Sequence, residues 1–205
     1  MPAMRFFAMT FAALPLALAL LAPTTLPVIA QEKDTIKEQP EANLSPQQHL
    51  DQLYAQLKRE RNADKADNIA NEIRTEWNDS GSATVNLLMQ WADKAIEEKR
   101  TPAALDFLDQ AIALKPNYAE SWNRRATLNY ANGNYRKSMA DIERVLDLEP
   151  RHFGALSGMA TILTDTGNDQ LALKAWERFL DIYPANRTAQ EQMNTLSEKL
   201  AGNRT

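Results

Sequence analysis

The sequence predicts an all-α fold, a solenoid of antiparallel helix pairs, and three observations carry that expectation. Pro116, Pro150 and Pro184 stand 34 residues apart and close the like segments A-I-A-L-K-P, V-L-D-L-E-P and F-L-D-I-Y-P. A fixed period of this size marks repeated helix-turn-helix units, none of which can bury its apolar face alone. In the same phase come alanines at 92, 126 and 160, small residues at Ala104, Ser138 and Ala172, and glycines at 133 and 167. Finally, nothing among the 205 residues reads as a strand run.

The elements follow in order. Residues 1–30 read as a secretory leader: Arg5, a 17-residue apolar run from Phe6 to Ala22, then Val28-Ile29-Ala30 as a cleavage site before Gln31. An uncleaved anchor is the alternative, although Pro15 interrupts the run. Residues 31–44 are charged, lack apolar periodicity and read as a flexible spacer. Ser45-Pro46 opens a degenerate helical pair over 45–80, because serine caps and proline suits the first helical position. Its apolar positions are Leu50, Leu53, Tyr54 and Leu57, then Ile69, Ile73 and Trp77, and the pair is expected to start the stack. Three clear repeats occupy 84–116, 117–150 and 151–184. A capping helix with its tail fills 185–205, with Met193, Leu196 and Leu200 turned inward; a solenoid needs such a polar-backed end.

Spacing assigns structural roles. Ala92, Ala126 and Ala160, with Ala104 and Ala172, are small where helices cross closely. Gly133 and Gly167 sit at turns where a positive φ suits glycine. Repeat one has Lys99 there, so that turn is expected to differ, with Thr101-Pro102 as cap and helix start. Residues 91, 125 and 159 should face 107, 141 and 175. Trp91 thus meets Phe107, Met159 meets Ala175, and Arg125 forms a partly buried ion pair with Asp141. Trp77, Trp91, Trp122 and Trp176 recur at helical core positions and are expected to pack.

Composition excludes several functions. With no cysteine, thiol catalysis, disulfides, cysteine zinc clusters and lipid anchoring are ruled out. Two histidines, no H-E-x-x-H, no phosphate loop and no G-x-S-x-G leave no catalytic constellation, metal site or cofactor to propose. His152 is expected to cap or pack, and the Asp93/Glu97 pair to be solvated. Once Arg5 is set apart, residues 31–205 carry 22 basic and 27 acidic side chains, net −5, which argues against nucleic acid as a partner. Repeat two balances its arginines with acids, and its charges read as a solvated face.

The Trp122–Gly133–Tyr135–Pro150 framework resembles the tetratricopeptide repeat family, strongly over 85–184 and loosely over 50–205. The stretches W-N-R-R-A-T and E-P-R-H-F-G-A-L are similar to small exported members of that family in Gram-negative bacteria, particularly alphaproteobacteria. The resemblance implies a right-handed superhelix whose first helices line a concave groove for a peptide or a partner's helix. It implies a periplasmic, non-enzymatic scaffold in the cell envelope, with no membrane span once the leader is removed. Groove residues by this analogy are Asn86, Met89, Gln90 and Asp93, then Asn123, Arg124, Thr127 and Tyr130, then Ser157, Gly158, Thr161 and Thr164. Arg124 would be the lone cation. A carboxylate clamp known in part of the family would fall on Met89, Asp93, Arg124, Gly154 and Gly158, which rules out that role. Gly154 and Gly158 leave a bare wall, either for a ligand backbone or for tight helix packing. A tethered assembly subunit, with 31–44 as a leash of roughly 20 Å reach, is the alternative function, and self-association through helix faces is a further expectation.

Overall fold

The computed structural model describes residues 44–202, and the leader and spacer lie outside them. Nine helices make up the described residues: α1 (Pro46–Arg59), α2 (Ala63–Trp77), α3 (Ala83–Glu97), α4 (Thr101–Leu114), α5 (Ala119–Ala131), α6 (Tyr135–Leu148), α7 (Phe153–Asp165), α8 (Asp169–Ile182) and α9 (Arg187–Gly202). Helices α3 to α8 pair as three antiparallel hairpins in a superhelical array, and α9 packs on α8. None of them is long and apolar enough to cross a membrane.

Local chemistry explains the helix ends. The Ser45 hydroxyl accepts from the Gln48 N–H while the Gln48 side chain accepts from the Ser45 N–H, a reciprocal capping box beside Pro46. The loops within the three repeats share one geometry. Gly133 and Gly167 have φ of 72° and 75°, and Lys99 adopts the same left-handed region at 58°. In each, the next N–H returns to a carbonyl five residues back: Arg100 to Ala95, Asn134 to Asn129 and Asn168 to Leu163. The turn at Lys99 is therefore built like the others, contrary to the sequence expectation. Backbone closure dictates the turn, and lysine tolerates the strain. Thr101 is not a cap either; it lies inside α4, whose N-cap Arg100 makes no side-chain cap bond.

The small residues sit where the helices meet. Ala92, Ala104, Ala160 and Ala172 are fully buried, as is Ala126 nearly so. The Ser138 hydroxyl donates to the Ala126 carbonyl at 2.7 Å, tying α6 to α5.

The N-terminal pair departs from the expected stacking. Rather than covering the front of repeat one, α1 packs against α8 at the far end of the array. Leu53, Tyr54, Leu57, Ala66, Ala70 and Ile73 share one buried cluster with residues of α7, α8 and α9. Trp77 stacks on His152 at 3.8 Å, and the Arg74 guanidinium lies over Phe153. Arg151 covers the Tyr54 ring and pairs with Asp51 at 2.8 Å. The Tyr183 hydroxyl donates to Asp67. These aromatic and charged partners outbid the plain front of repeat one. As a result Leu87, Trp91 and Leu114 remain exposed, so Trp91 is not the core residue its spacing suggested, although it keeps Phe107 as a ring partner at 5.6 Å. Trp176 is buried, while Trp122 is half-buried and donates its ring N–H to the Pro116 carbonyl.

Candidate functional site: the recess between α5 and α7

Helices α5 and α7, the first helices of repeats two and three, pack side by side above α6. Between them lies a recess of ≈ 220 Å³ lined by Asn123, Thr127, Tyr130, Ser157, Gly158 and Thr161, with Ile142 and Ser138 of α6 as its floor. Six of the twelve groove residues expected from the sequence thus share one site. The two glycines differ in role. A Cβ on Gly154 would come within 3.2 Å of His152 Cε1, so that glycine serves packing, whereas one on Gly158 would meet only Ile142 Cδ1 at 3.4 Å. Gly158 keeps the recess open.

The hydrogen-bond inventory sets what the recess can recognise. Thr127 Oγ1 donates to the Asn123 carbonyl, Ser157 Oγ to Gly154 and Thr161 Oγ1 to Ser157, at 2.8–3.0 Å. Tyr130 Oη donates to Asp165 at 2.8 Å. A hydroxyl has one proton and two lone pairs, so each of these groups retains acceptor capacity only. Asn123 donates one amide proton to Glu120 and keeps a second. The lining is therefore rich in acceptors and poor in donors. Asp165 at the rim adds negative charge, and the hydrogen bond to it, then burial, raises the Tyr130 pKa. The Tyr130 ring stacks against Tyr135 at 5.6 Å.

The other six lie elsewhere: Asn86 bonds to Ser80 and Asp79 ahead of α3, and Thr164 donates to the Ala160 carbonyl within α7. Met89 is buried with Tyr118 and Leu128 in the core of repeat one, because α3 carries a broad apolar stripe that needs both faces covered. Gln90 is exposed on α3, away from the recess. Asp93 is committed to Arg124. Arg124 is not a free cation: its guanidinium binds Asp93, Glu120 and Asn78, joining α3, α5 and the end of α2. Burial opposes its charge, but the hydrogen bond to Asp93 and the field of Glu120 raise its pKa on balance.

The charges of repeat two divide: Arg136, Lys137, Glu143, Arg144 and Asp147 are exposed as expected, whereas Glu120, Arg124, Arg125 and Asp141 are drawn into the fold. Arg125 grips buried Asp141 with two bonds, of 3.0 and 2.6 Å, lies over the Trp122 ring and reaches back to Asp109 on α4. Asn129 adds a third donor to Asp141. His152 is fully buried and caps α7, its Nδ1 accepting from the Ala155 N–H at 3.0 Å. That places the ring proton on Nε2, which faces Glu120 Oε2 at 3.3 Å. Burial would raise the Glu120 pKa, yet contact with His152 and Arg124 outweighs it and holds the carboxyl below its usual value. Sequence reading missed Glu120 and Asp109; each acts across a repeat boundary, which a 34-residue period does not reveal. Among the described residues no group of three or more histidine or acidic side chains could hold a metal ion.

Comparison with known proteins now fits this geometry. The tetratricopeptide repeat family model matches residues 119–152. A TPR repeat-containing protein of Rhizobium etli is 75% identical over 205 residues, 100% of each chain. The chain belongs to the tetratricopeptide repeat family. Solved tetratricopeptide domains share the fold. The first TPR of Spaghetti (RPAP3), bound to the HSP90 peptide SRMEEVD, has a TM-score of 0.55 at 19% identity, over 58% of this chain and 95% of that one. The Sgt2 TPR domain from Aspergillus fumigatus has 0.55 at 20%, over 60% and 84%. The TPR2B domain of yeast Sti1, in complex with an Hsp70 peptide, has 0.53 at 14%, over 58% and 99%.

Proposed function

We propose that this tetratricopeptide protein is a non-enzymatic scaffold that holds a segment of a partner protein in the recess between α5 and α7. The observation that carries the reading is the acceptor-rich lining: Thr127, Ser157, Thr161 and Tyr130 have spent their protons on the chain itself. Such a wall suits peptide N–H groups and cationic side chains, and it disfavours a terminal carboxylate, which needs donors. The net charge of −5 over residues 31–205 favours a basic segment in the same direction. Two related folds hold HSP90 or Hsp70 peptides, which supports peptide binding as the mode but not as the chemistry. The leader-like residues 1–30 support a periplasmic, envelope-associated setting.

Fluorescence anisotropy decides the binding claim. A labelled Lys/Arg-rich extended peptide is expected to bind, the acidic SRMEEVD peptide is expected not to, and Ser157→Trp should fill the recess and weaken binding at least about tenfold. Undiminished binding by the filled variant would remove the recess from the mechanism. For the setting, the purified native protein should begin at Gln31; an intact leader would favour a tethered subunit instead.

A further inference from the structure

We infer that the uncovered front of repeat one docks a second copy of this chain, the two fronts meeting about a two-fold axis. The repeats themselves define what is uncovered. In repeat two, Lys137, Ala140 and Asp141 of α6 and Arg125 of α5 face Leu105 and Asp109 of the preceding α4. The positions 34 residues earlier are Ala103, Asp106, Phe107 and Trp91, and among the described residues no helix covers them, since α1 packs against α8. Leu87 shows the contrast most clearly. It is 42% exposed, while its counterparts Ser121 and Ala155 are 0% and 1% exposed. With Trp91 at 44%, against a 22% exposed Arg125 side chain at the same position of repeat two, the front of α3 leaves apolar groups in water where the later repeats bury or half-bury theirs.

Two features point to a second copy as the occupant. The first is charge. The ion pairs of this repeat use Asp93, Glu98, Arg100 and Asp109. Of the charges outside them, which include Glu97 and Lys99, the two at the front are Lys94 on α3, beside Trp91 and Phe107, and Asp106 on α4, at the position that Ala140 holds beside α4 in the next repeat. They have opposite signs and lie on the two helices of one face. A two-fold axis brings Lys94 of each copy towards Asp106 of the other, with Trp91 and Phe107 at the centre. The second is end polarity. Helix α9 already covers the last repeat, so head-to-tail growth has no acceptor and only a closed pair of fronts completes both surfaces.

Analytical ultracentrifugation of the full chain tests this. Wild type is expected to be dimeric at concentrations of about 10–100 μM, a range reached by modest interfaces. Trp91→Glu should be monomeric with its helical circular dichroism intact, since the residue is already half in water. Lys94→Asp should weaken the dimer about tenfold, and Lys94→Asp/Asp106→Lys should restore it. Leu171→Glu, at an exposed apolar site on α8, should change nothing. A monomeric wild type overturns the proposal, as does a dimer that survives Trp91→Glu or a charge swap that fails to restore it. If the wild type is monomeric yet Trp91 resists hydroxyl-radical oxidation, a segment of residues 1–43 occupies the front in place of a second copy. None of these outcomes depends on the α5–α7 recess.

Discussion

Lys99 holds a left-handed backbone that its neighbours Gly133 and Gly167 reach without a Cβ. Such a conformation costs a side-chain-bearing residue about 1 kcal/mol, part of which glycine returns through its unfolded-state entropy. Lys99→Gly is therefore expected to stabilise the fold by roughly 0.5 kcal/mol, read as a higher midpoint in urea; a lower one would contradict the strain argument. Asp141 is the opposite case. It is 5% exposed and receives three N–H donors from Arg125 and Asn129. Asp141→Ala should cost about 3 kcal/mol because it strands a half-buried guanidinium. Asp109→Ala, which removes the exposed partner of the same arginine, should cost under about 1 kcal/mol; equal losses would show that the two contacts are not ranked by burial. The Arg125–Asp141 pairing was legible because both slots recur at fixed phase. Asp109 was not, because its contact depends on how successive repeats stagger.

At the scale of elements, sequence signals placed the helices well: Ser45-Pro46, the three prolines and the glycines all mark observed boundaries. They could not place the α1–α2 hairpin. Its apolar stripe says only that it must be buried, and repeat one offered an obvious surface. The deciding groups, Arg151, His152, Phe153 and Tyr183, look from sequence like ordinary loop and core residues. Three tyrosines join the hairpin to the repeats or line that contact. Burial first, then Glu149, raises the pKa of Tyr54; burial, then Glu120, raises that of Tyr118, whose hydroxyl donates to the Trp77 carbonyl at 2.8 Å. Tyr183 is pushed up to about 12 by burial and by its bond to Asp67. A raised folded pKa leaves stability intact below the unfolded value near 10 and removes it as pH rises through the folded value. The hairpin is thus expected to detach between about pH 10 and 12, before the repeats melt. A rise in Trp77 solvent exposure with retained repeat helicity is the signature to seek, and loss of all helicity in one step would refute a separable hairpin.

Across the whole molecule, acid acts at another seam. Glu120 links α5 to buried His152 beneath Trp77, and its depressed pKa contributes stability that is present above the unfolded carboxyl value near 4.3 and lost as pH falls through the folded value. Glu120→Gln should flatten the stability profile below about pH 5; an unchanged profile would place the acid sensitivity elsewhere. The all-α class, the repeat count and the helix pairing were readable in the 34-residue period, whereas the residues that line the recess were named only through the family resemblance, because the period does not say which side of a first helix faces a partner. The front of repeat one was not readable, because what leaves it bare is a contact between distant parts of the chain.

That contact also sets a clock on folding. Asp67 and its partner Tyr183 are 116 residues apart, whereas the partners inside a repeat are near neighbours in sequence. Repeats can form as fast as they are synthesised, but the hairpin, made first, has no surface to settle on until α8 has emerged. At ribosomal speeds that interval is roughly 6–20 s, during which Leu53, Tyr54, Leu57 and Ile73 lack their final cover. A nascent chain of this kind spends its longest vulnerable period at its beginning, so whatever shields it must bind early and let go late.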